Sequence, residues 1–190
     1  MKNLHFFLAI LISILTSTLS AQSNWSLRTN LGFGAEQNLG DFGVRFANRL
    51  ARHYNRVNGF VQWEAFQMMN TNDGTTTPLT YDQLRTFSST QLDLGMGLNL
   101  IHKPKVRIGL DLAGSYRFGR RLWPERIIEF NGEQQAFYTY EKIRELGWAL
   151  GFEIGIKINQ KVWFNADLHS HNYGFFGEYM ALGLGATLFL

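Results

Sequence analysis

The sequence predicts an all-β fold, an eight-stranded antiparallel up-and-down transmembrane β-barrel, and three observations carry that prediction. Apolar and polar residues alternate along the chain, most plainly over residues 106–118. There Val106, Ile108, Leu110, Leu112, Tyr116 and Phe118 fall on one parity and Arg107, Asp111, Ser115 and Arg117 on the other, which is the period of a strand and not of a helix. Eight such segments follow one another between turn signals. Their apolar parity is almost free of charge, as it is where that face meets hydrocarbon.

The first segment, residues 24–35, sets Trp25, Leu27, Thr29, Leu31 and Phe33 against Arg28, Asn30, Gly32 and Gly34, and a short connection at 36–40 follows. The second, 41–50, sets Phe42, Val44, Phe46 and Leu50 against Gly43, Arg45, Ala47 and Arg49. A polar turn over 52–56 leads to the third, 57–68, where Val57, Val61, Trp63 and Ala65 oppose Gln62 and Glu64. Residues 69–86 are rich in Thr, Asn and Asp and contain Asp73-Gly74 and Pro78, the composition of a loop. The fourth, 87–101, sets Leu92, Leu94, Met96, Leu98 and Leu100 against Gln91, Asp93, Gly95, Gly97 and Asn99. A tight turn at 102–105 gives the fifth, 106–118.

Residues 119–141 form a long excursion in which Asn131-Gly132 is a two-residue hairpin signal. Its flanks, 126–130 and 133–140, read as continuations of the neighbouring strands into a protruding ribbon, with Pro124 at an edge or a bulge. The sixth segment, 142–156, sets Leu146, Trp148, Leu150, Phe152, Ile154 and Ile156 against Glu145, Gly147, Gly151, Glu153 and Gly155. A short turn at 157–161 precedes the seventh, 162–171, with Val162, Phe164, Ala166 and Leu168 opposite Asn165, Asp167, His169 and His171. The eighth, 178–190, sets Met180, Leu182, Leu184, Ala186, Leu188 and Leu190 against Tyr179, Gly183, Gly185 and Thr187.

Ahead of these segments, Met1-Lys2-Asn3, an apolar run over 4–15 and small residues up to Ala21-Gln22 have the order of a secretory signal peptide. Residues 1–21 are therefore expected to be removed, leaving 22–190 as one barrel domain. The absence of cysteine excludes a disulfide framework and thiolate chemistry. Without Lys2 the chain carries seventeen basic against fifteen acidic residues. Lys103, Lys105, Lys142, Lys157 and Lys161 fall at turns or segment ends and the arginines are dispersed among acids, so no basic stripe for nucleic acid forms.

Alternation alone does not say whether the apolar face points in or out. Turning the fifth segment over would put Arg107, Asp111 and Arg117 toward lipid, and a basic residue at the bilayer midplane costs about 2–4 kcal/mol. The charged parity is therefore assigned to the lumen. That interior gathers Arg28, Arg45, Arg49, Arg107 and Arg117 with Glu64, Asp93, Asp111, Glu145, Glu153, Asp167 and the neighbouring His169. Buried charges need partners, and a barrel of this size is only wide enough to be filled by side chains. Lumenal glycines leave room for long arginines from neighbouring strands. Trp25, Tyr116, Phe118 and Trp148 near segment ends on the apolar parity suit interfacial girdles. With both termini in the periplasm, the short connections (51–56, 102–105, 157–161) are periplasmic and the long ones (69–86, 119–141) external.

The leader, the eight alternating segments and the strongly alternating C-terminal segment together resemble the small outer-membrane barrels of the OmpA and OmpX type, and the outer-membrane β-barrel domain family common in Bacteroidota. The Ala21-Gln22 junction resembles cleavage sites of that phylum. The resemblance implies a Gram-negative outer membrane, surrounding outer-membrane lipid, and insertion by the barrel assembly machinery, which reads the last strand. Such strands often end in Phe; this one ends Phe189-Leu190. OmpX-like relatives carry a protruding sheet that engages external proteins, which is what the ribbon around Asn131-Gly132 resembles.

Few residues suggest chemistry. His169-Ser170-His171-Asn172 with Glu178 faintly resembles the His-x-Ser-Asn motif of lipid A deacylases of the PagL type, but His171 stands where the serine belongs. Strict alternation also puts Ser170 on the face opposite both histidines, so the plainer reading is polar residues closing the barrel mouth. Asp167, His169 and His171 share a parity without a further metal ligand in the motif. Gly32-Phe33-Gly34 does not open a helix, so no phosphate-binding loop or cofactor is implied. The expected role is non-enzymatic, structural or interactive, with external loops, chiefly 119–141, meeting an external protein or envelope partner. A lipid A-modifying esterase and a narrow channel are the alternatives.

Overall fold

The computed structural model describes residues 24–36, 41–68, 86–130, 133–174 and 178–190. They form strands β1 (Trp25–Glu36), β2 (Asp41–Tyr54), β3 (Val57–Met68), β4 (Thr86–His102), β5 (Val106–Phe130), β6 (Glu133–Lys157), β7 (Val162–Asn172) and β8 (Glu178–Phe189). Each pairs antiparallel with its neighbours and β1 pairs with β8, closing an eight-stranded barrel. Closure leaves no sheet edge in the barrel wall, the only way a sheet can satisfy its backbone in hydrocarbon.

The face assignment follows the alternation. In β1 the odd-numbered residues point out, Leu31 and Phe33 being more than half exposed, while Arg28, Asn30 and Glu36 are buried in the lumen. Leu94 and Met96 on β4, Leu112 on β5, Leu146 on β6 and Leu182 on β8 complete an apolar belt around the wall. A patch of that extent far exceeds what a monomeric soluble protein exposes.

Both described chain ends and the short turns after β2, β4 and β6 lie at one end of the barrel. There the structure shortens the polar turn expected over 52–56. β2 runs on to Tyr54, Arg52 pairs with Gly59, and only Asn55 and Arg56 reverse the chain. Asn55 takes the left-handed conformation, φ 58°, which asparagine tolerates better than most residues. The polarity that reads as a turn is instead the wet end of a strand, where the Arg52 guanidinium lies 5.7 Å from the Trp25 ring and 5.0 Å from that of Tyr54.

At the opposite end β5 and β6, 25 residues each, outrun their neighbours. β4 leaves β5 at Leu122 and β7 leaves β6 at Trp148, beyond which, among the described residues, the two strands pair only with each other. A register shift between Pro124 and Arg126 absorbs the missing proline donor. The ribbon expected from the flanks 126–130 and 133–140 is thus present as ladder, and the ladder also takes in 119–124 and 141. Lys142 and Arg144, expected near a strand end, lie well inside β6. Glu36, expected in a connection, is the last residue of β1, with its carboxylate fully buried in the lumen. The segment 1–21, the loop signals Asp73-Gly74 and Pro78, and the Asn131-Gly132 dipeptide lie outside the described residues.

Candidate functional site

Because side chains alternate along a strand, every second residue from each of the eight strands enters the lumen. The buried arginines are Arg28, Arg45, Arg49, Arg107, Arg117 and Arg121, and the buried acids Glu36, Glu64, Asp93, Asp111, Glu153 and Asp167. Uncompensated charge in such a space would cost several kcal/mol per ion. Pairing across strands removes that cost, and the pairs stack in three layers.

Nearest the short turns, Glu153 accepts from both Arg28 and Arg107. Arg49 donates to Asp111 at 2.5 Å and to Gln62 at 2.9 Å, with its guanidinium 3.8 Å above the Phe60 ring. Midway, Arg45 has no exposed surface and bridges Glu64 at 2.7 Å and Asp167 at 3.0 Å. Asp167 also accepts from Asn30 at 2.8 Å and lies 2.9 Å from His169; His171 lies 3.2 Å from Asp93. Toward the far end, Arg117 binds Glu145 at 2.5 Å and Glu36 at 3.5 Å, and Arg121 binds Glu36 at 3.0 Å.

The twelve residues expected in the lumen thus all face it, Glu145 less deeply than the rest. Parity alone also places Asn30, Gln62 and Gln91 there, and the structure uses them as neutral links between ions. Glu36 and Arg121 escape sequence reasoning because both sit just past the segment ends drawn from the alternation.

Lumenal aromatics are a further departure. Phe66, Phe87 and Tyr179, with Ile143 and Ala181, form an apolar cluster toward the outer end. Arg117 lies 4.2 Å from the Tyr173 ring, and Arg121 5.1 Å from that of Phe87. Two glycines on the lumenal parity lie against these rings. A side chain at Gly34 would meet the Tyr179 ring at 2.5 Å and one at Gly43 the Phe66 ring at 2.6 Å. Among the described residues only Gly183, 2.7 Å from Arg45 Nη1, directly clears an arginine headgroup at similarly close range.

The arrangement can neutralise and rigidify, and it leaves little space. A cavity of about 20 Å³ beside Arg28, Arg49, Asp111 and Glu153 is about the room one water needs. His169 and His171 turn to different carboxylates, with ring centroids 6.1 Å apart. Ser170 lies on the alternate parity, beside Leu150 and Met180 in the ladder, so it pairs with neither His169 nor His171.

No protein-family model matches the chain, and no curated protein matches it in sequence. Solved structures do match in fold. Neisserial surface protein A is 11% identical with a TM-score of 0.64, the match covering 88% of this chain and 98% of that one. A major outer membrane protein from Thermus thermophilus is 13% identical with a TM-score of 0.57, covering 86% and 98%. Ail, the attachment invasion locus protein of Yersinia pestis, is 9% identical with a TM-score of 0.55, covering 88% and 99%. The fold is that of the small eight-stranded outer-membrane barrels. The narrower likeness to the Bacteroidota family rests on the residue pattern alone.

Proposed function

We propose that this chain is an exported, non-enzymatic outer-membrane barrel whose lumen is a rigid ionic plug and whose outer ribbon, within residues 119–141, meets an external protein or an envelope partner. The observation that carries the reading is the contrast between the two parts. The lumen is spent on mutual neutralisation around a cavity of about 20 Å³. The β5–β6 ribbon instead projects eight residues beyond β4's last partner, Leu122 to Phe130. Among the described strands, β7 pairs with β6 only from Trp148 onward, so the ribbon presents a β6 edge suited to strand addition. Ail is by name an attachment protein, and the shared fold makes that class of role the first to test.

Capture assays with the intact barrel and with a variant lacking 125–138, closed by a short turn, test the reading. Loss of captured partner with the ribbon, at unchanged barrel folding, is the expected result; equal capture by both forms contradicts it. The plug makes a second, independent commitment. In planar bilayers the protein passes no steady current, and a sustained conductance abolished by neutralising Arg45 or Asp111 would favour the channel. Lipid A mass unchanged by loss of the protein removes the esterase, whereas loss of an acyl chain only when the protein is present establishes it.

A further inference from the structure

The outward face of the barrel is apolar apart from a few charges, and these are unevenly placed. Arg52 sits at the short-turn end. At the other end lie Glu178, whose carboxylate accepts from Asn172 Nδ2 at 3.3 Å, and three cations on two adjacent strands: Arg120, Lys142 and Arg144. Arg120 is directly opposite Lys142 in the ladder, and Phe118 is opposite Arg144. Like charges placed opposite each other destabilise a strand pair, and nothing in the described fold offsets this one. The acids on the same strand alternate away to the other face, where Glu141 lies 3.6 Å from Arg121 and Glu145 2.5 Å from Arg117. All three cations are exposed, with no carboxylate in ion-pair range among the described residues.

Their height and surroundings select the missing anion. With strands tilted about 40° and rising about 3.3 Å per residue, each residue climbs about 2.5 Å, so a hydrophobic band of about 25 Å takes roughly ten residues. Counted from Ile108 up β5 and from Ile156 up β6, the band ends at Phe118 and Leu146, and the next outward residues are Arg120 and Arg144. The cations therefore stand at headgroup level. The three cations themselves line a groove of about 640 Å³ that Val44, Phe46, Ala65 and Phe118 continue as an apolar wall, with Gln67, Ser88 and Thr90 along its polar side. A soluble anion has no use for the apolar wall of a groove whose polar part already carries the cations; a phospholipid or glycolipid, with headgroup and chain joined, uses both.

We propose that Arg120, Lys142 and Arg144 bind the phosphate of an outer-leaflet glycolipid of the lipid A kind, with an acyl chain lying along the apolar wall of the groove. The proposal shares with the functional reading only the orientation of the barrel in the membrane. It involves the wall of the barrel and not the ribbon tip, so either can fail alone.

The test uses the full barrel in phosphatidylcholine nanodiscs carrying a small mole fraction of bisphosphorylated lipid A, with retained lipid read by native mass spectrometry. Each cation near a charged membrane surface contributes about fivefold in affinity. The combined R120Q, K142Q and R144Q variant should therefore need on the order of a hundredfold more lipid A for half-saturation. R52Q, an outward charge at the wrong end, should change nothing. Dephosphorylated lipid A should bind as poorly to the wild type as lipid A does to the triple variant, and millimolar inorganic phosphate should not displace the lipid. Equal retention by the triple variant overturns the site. So does equal retention of dephosphorylated lipid, and displacement by free phosphate shows that the groove adds nothing. Folding is checked by the heat-dependent gel shift of the barrel, and should the triple variant misfold, the single variants carry the test at about fivefold each.

Discussion

Replacing Arg45 by glutamine probes the lumenal network at its most deeply buried ion. Arg45 has no exposed surface and its guanidinium is shared between Glu64 at 2.7 Å and Asp167 at 3.0 Å. Removing one partner of a buried pair costs about 3–5 kcal/mol, because the charge left behind has lost its compensation. Both orphaned carboxylates keep neutral or weak partners. Glu64 retains Gln62 and Gln91, each at 3.3 Å, and Asp167 retains Asn30 at 2.8 Å and His169 at 2.9 Å. These hold the expected loss near the lower figure, about 3 kcal/mol. Neutralising the acids as well, in an R45M, E64Q and D167N combination, removes the uncompensated charge and should recover most of that loss. Urea unfolding of the barrel in lipid vesicles, followed by tryptophan emission, measures both. A loss below about 1 kcal/mol for R45Q would mean that water already solvates Glu64 and Asp167 and that the lumen is not a sealed ionic plug.

Two substitutions test the wall. Leu112, 60% exposed on the outward face of β5 and within the hydrophobic band from Ile108 to Phe118, should on replacement by arginine lower vesicle stability by about 2–4 kcal/mol; an unchanged urea midpoint would mean that this face does not sit in hydrocarbon. At the β1–β8 seam, a side chain at Gly32 would collide with the Leu182 carbonyl oxygen, so G32V should block closure and leave the chain without the heat-dependent gel shift, whereas a normally shifting G32V would show that the seam opens easily.

Much of this molecule is legible in its sequence because hydrocarbon enforces the alternation so strictly. Each lipid-facing lapse carries a cost, so the parity of Leu94, Leu112 or Leu182 alone decides which way a strand faces. The lumen is less demanding. Phe60 and Phe66 stand on the polar parity of β3, where the rule that apolar residues face lipid misassigns them; they are inside because Gly95 and Gly43 open space for their rings. Strand ends are also hard to see, since polar residues are tolerated once a strand leaves the bilayer. Arg52 therefore reads as turn, Glu36 as connection and residues 119–125 as loop, although all lie within strands. The pairs themselves are beyond reach: parity puts Arg45 and Asp167 in one lumen, but only the closed register brings residues 122 positions apart to 3.0 Å.

The central claim is that one face of every strand touches acyl chains while the other is sealed within, and tryptophan quenching in brominated lipid reads it most directly. Trp63 on β3 and Trp148 on β6 are outward, 39% and 46% exposed, whereas Trp163 on β7 is buried in the lumen at 7%. In single-tryptophan variants reconstituted in vesicles, chain-brominated phosphatidylcholine should quench Trp63 and Trp148 strongly and leave Trp163 emitting. Strong quenching of Trp163 with Trp63 and Trp148 untouched would place the apolar face inward and contradict the account.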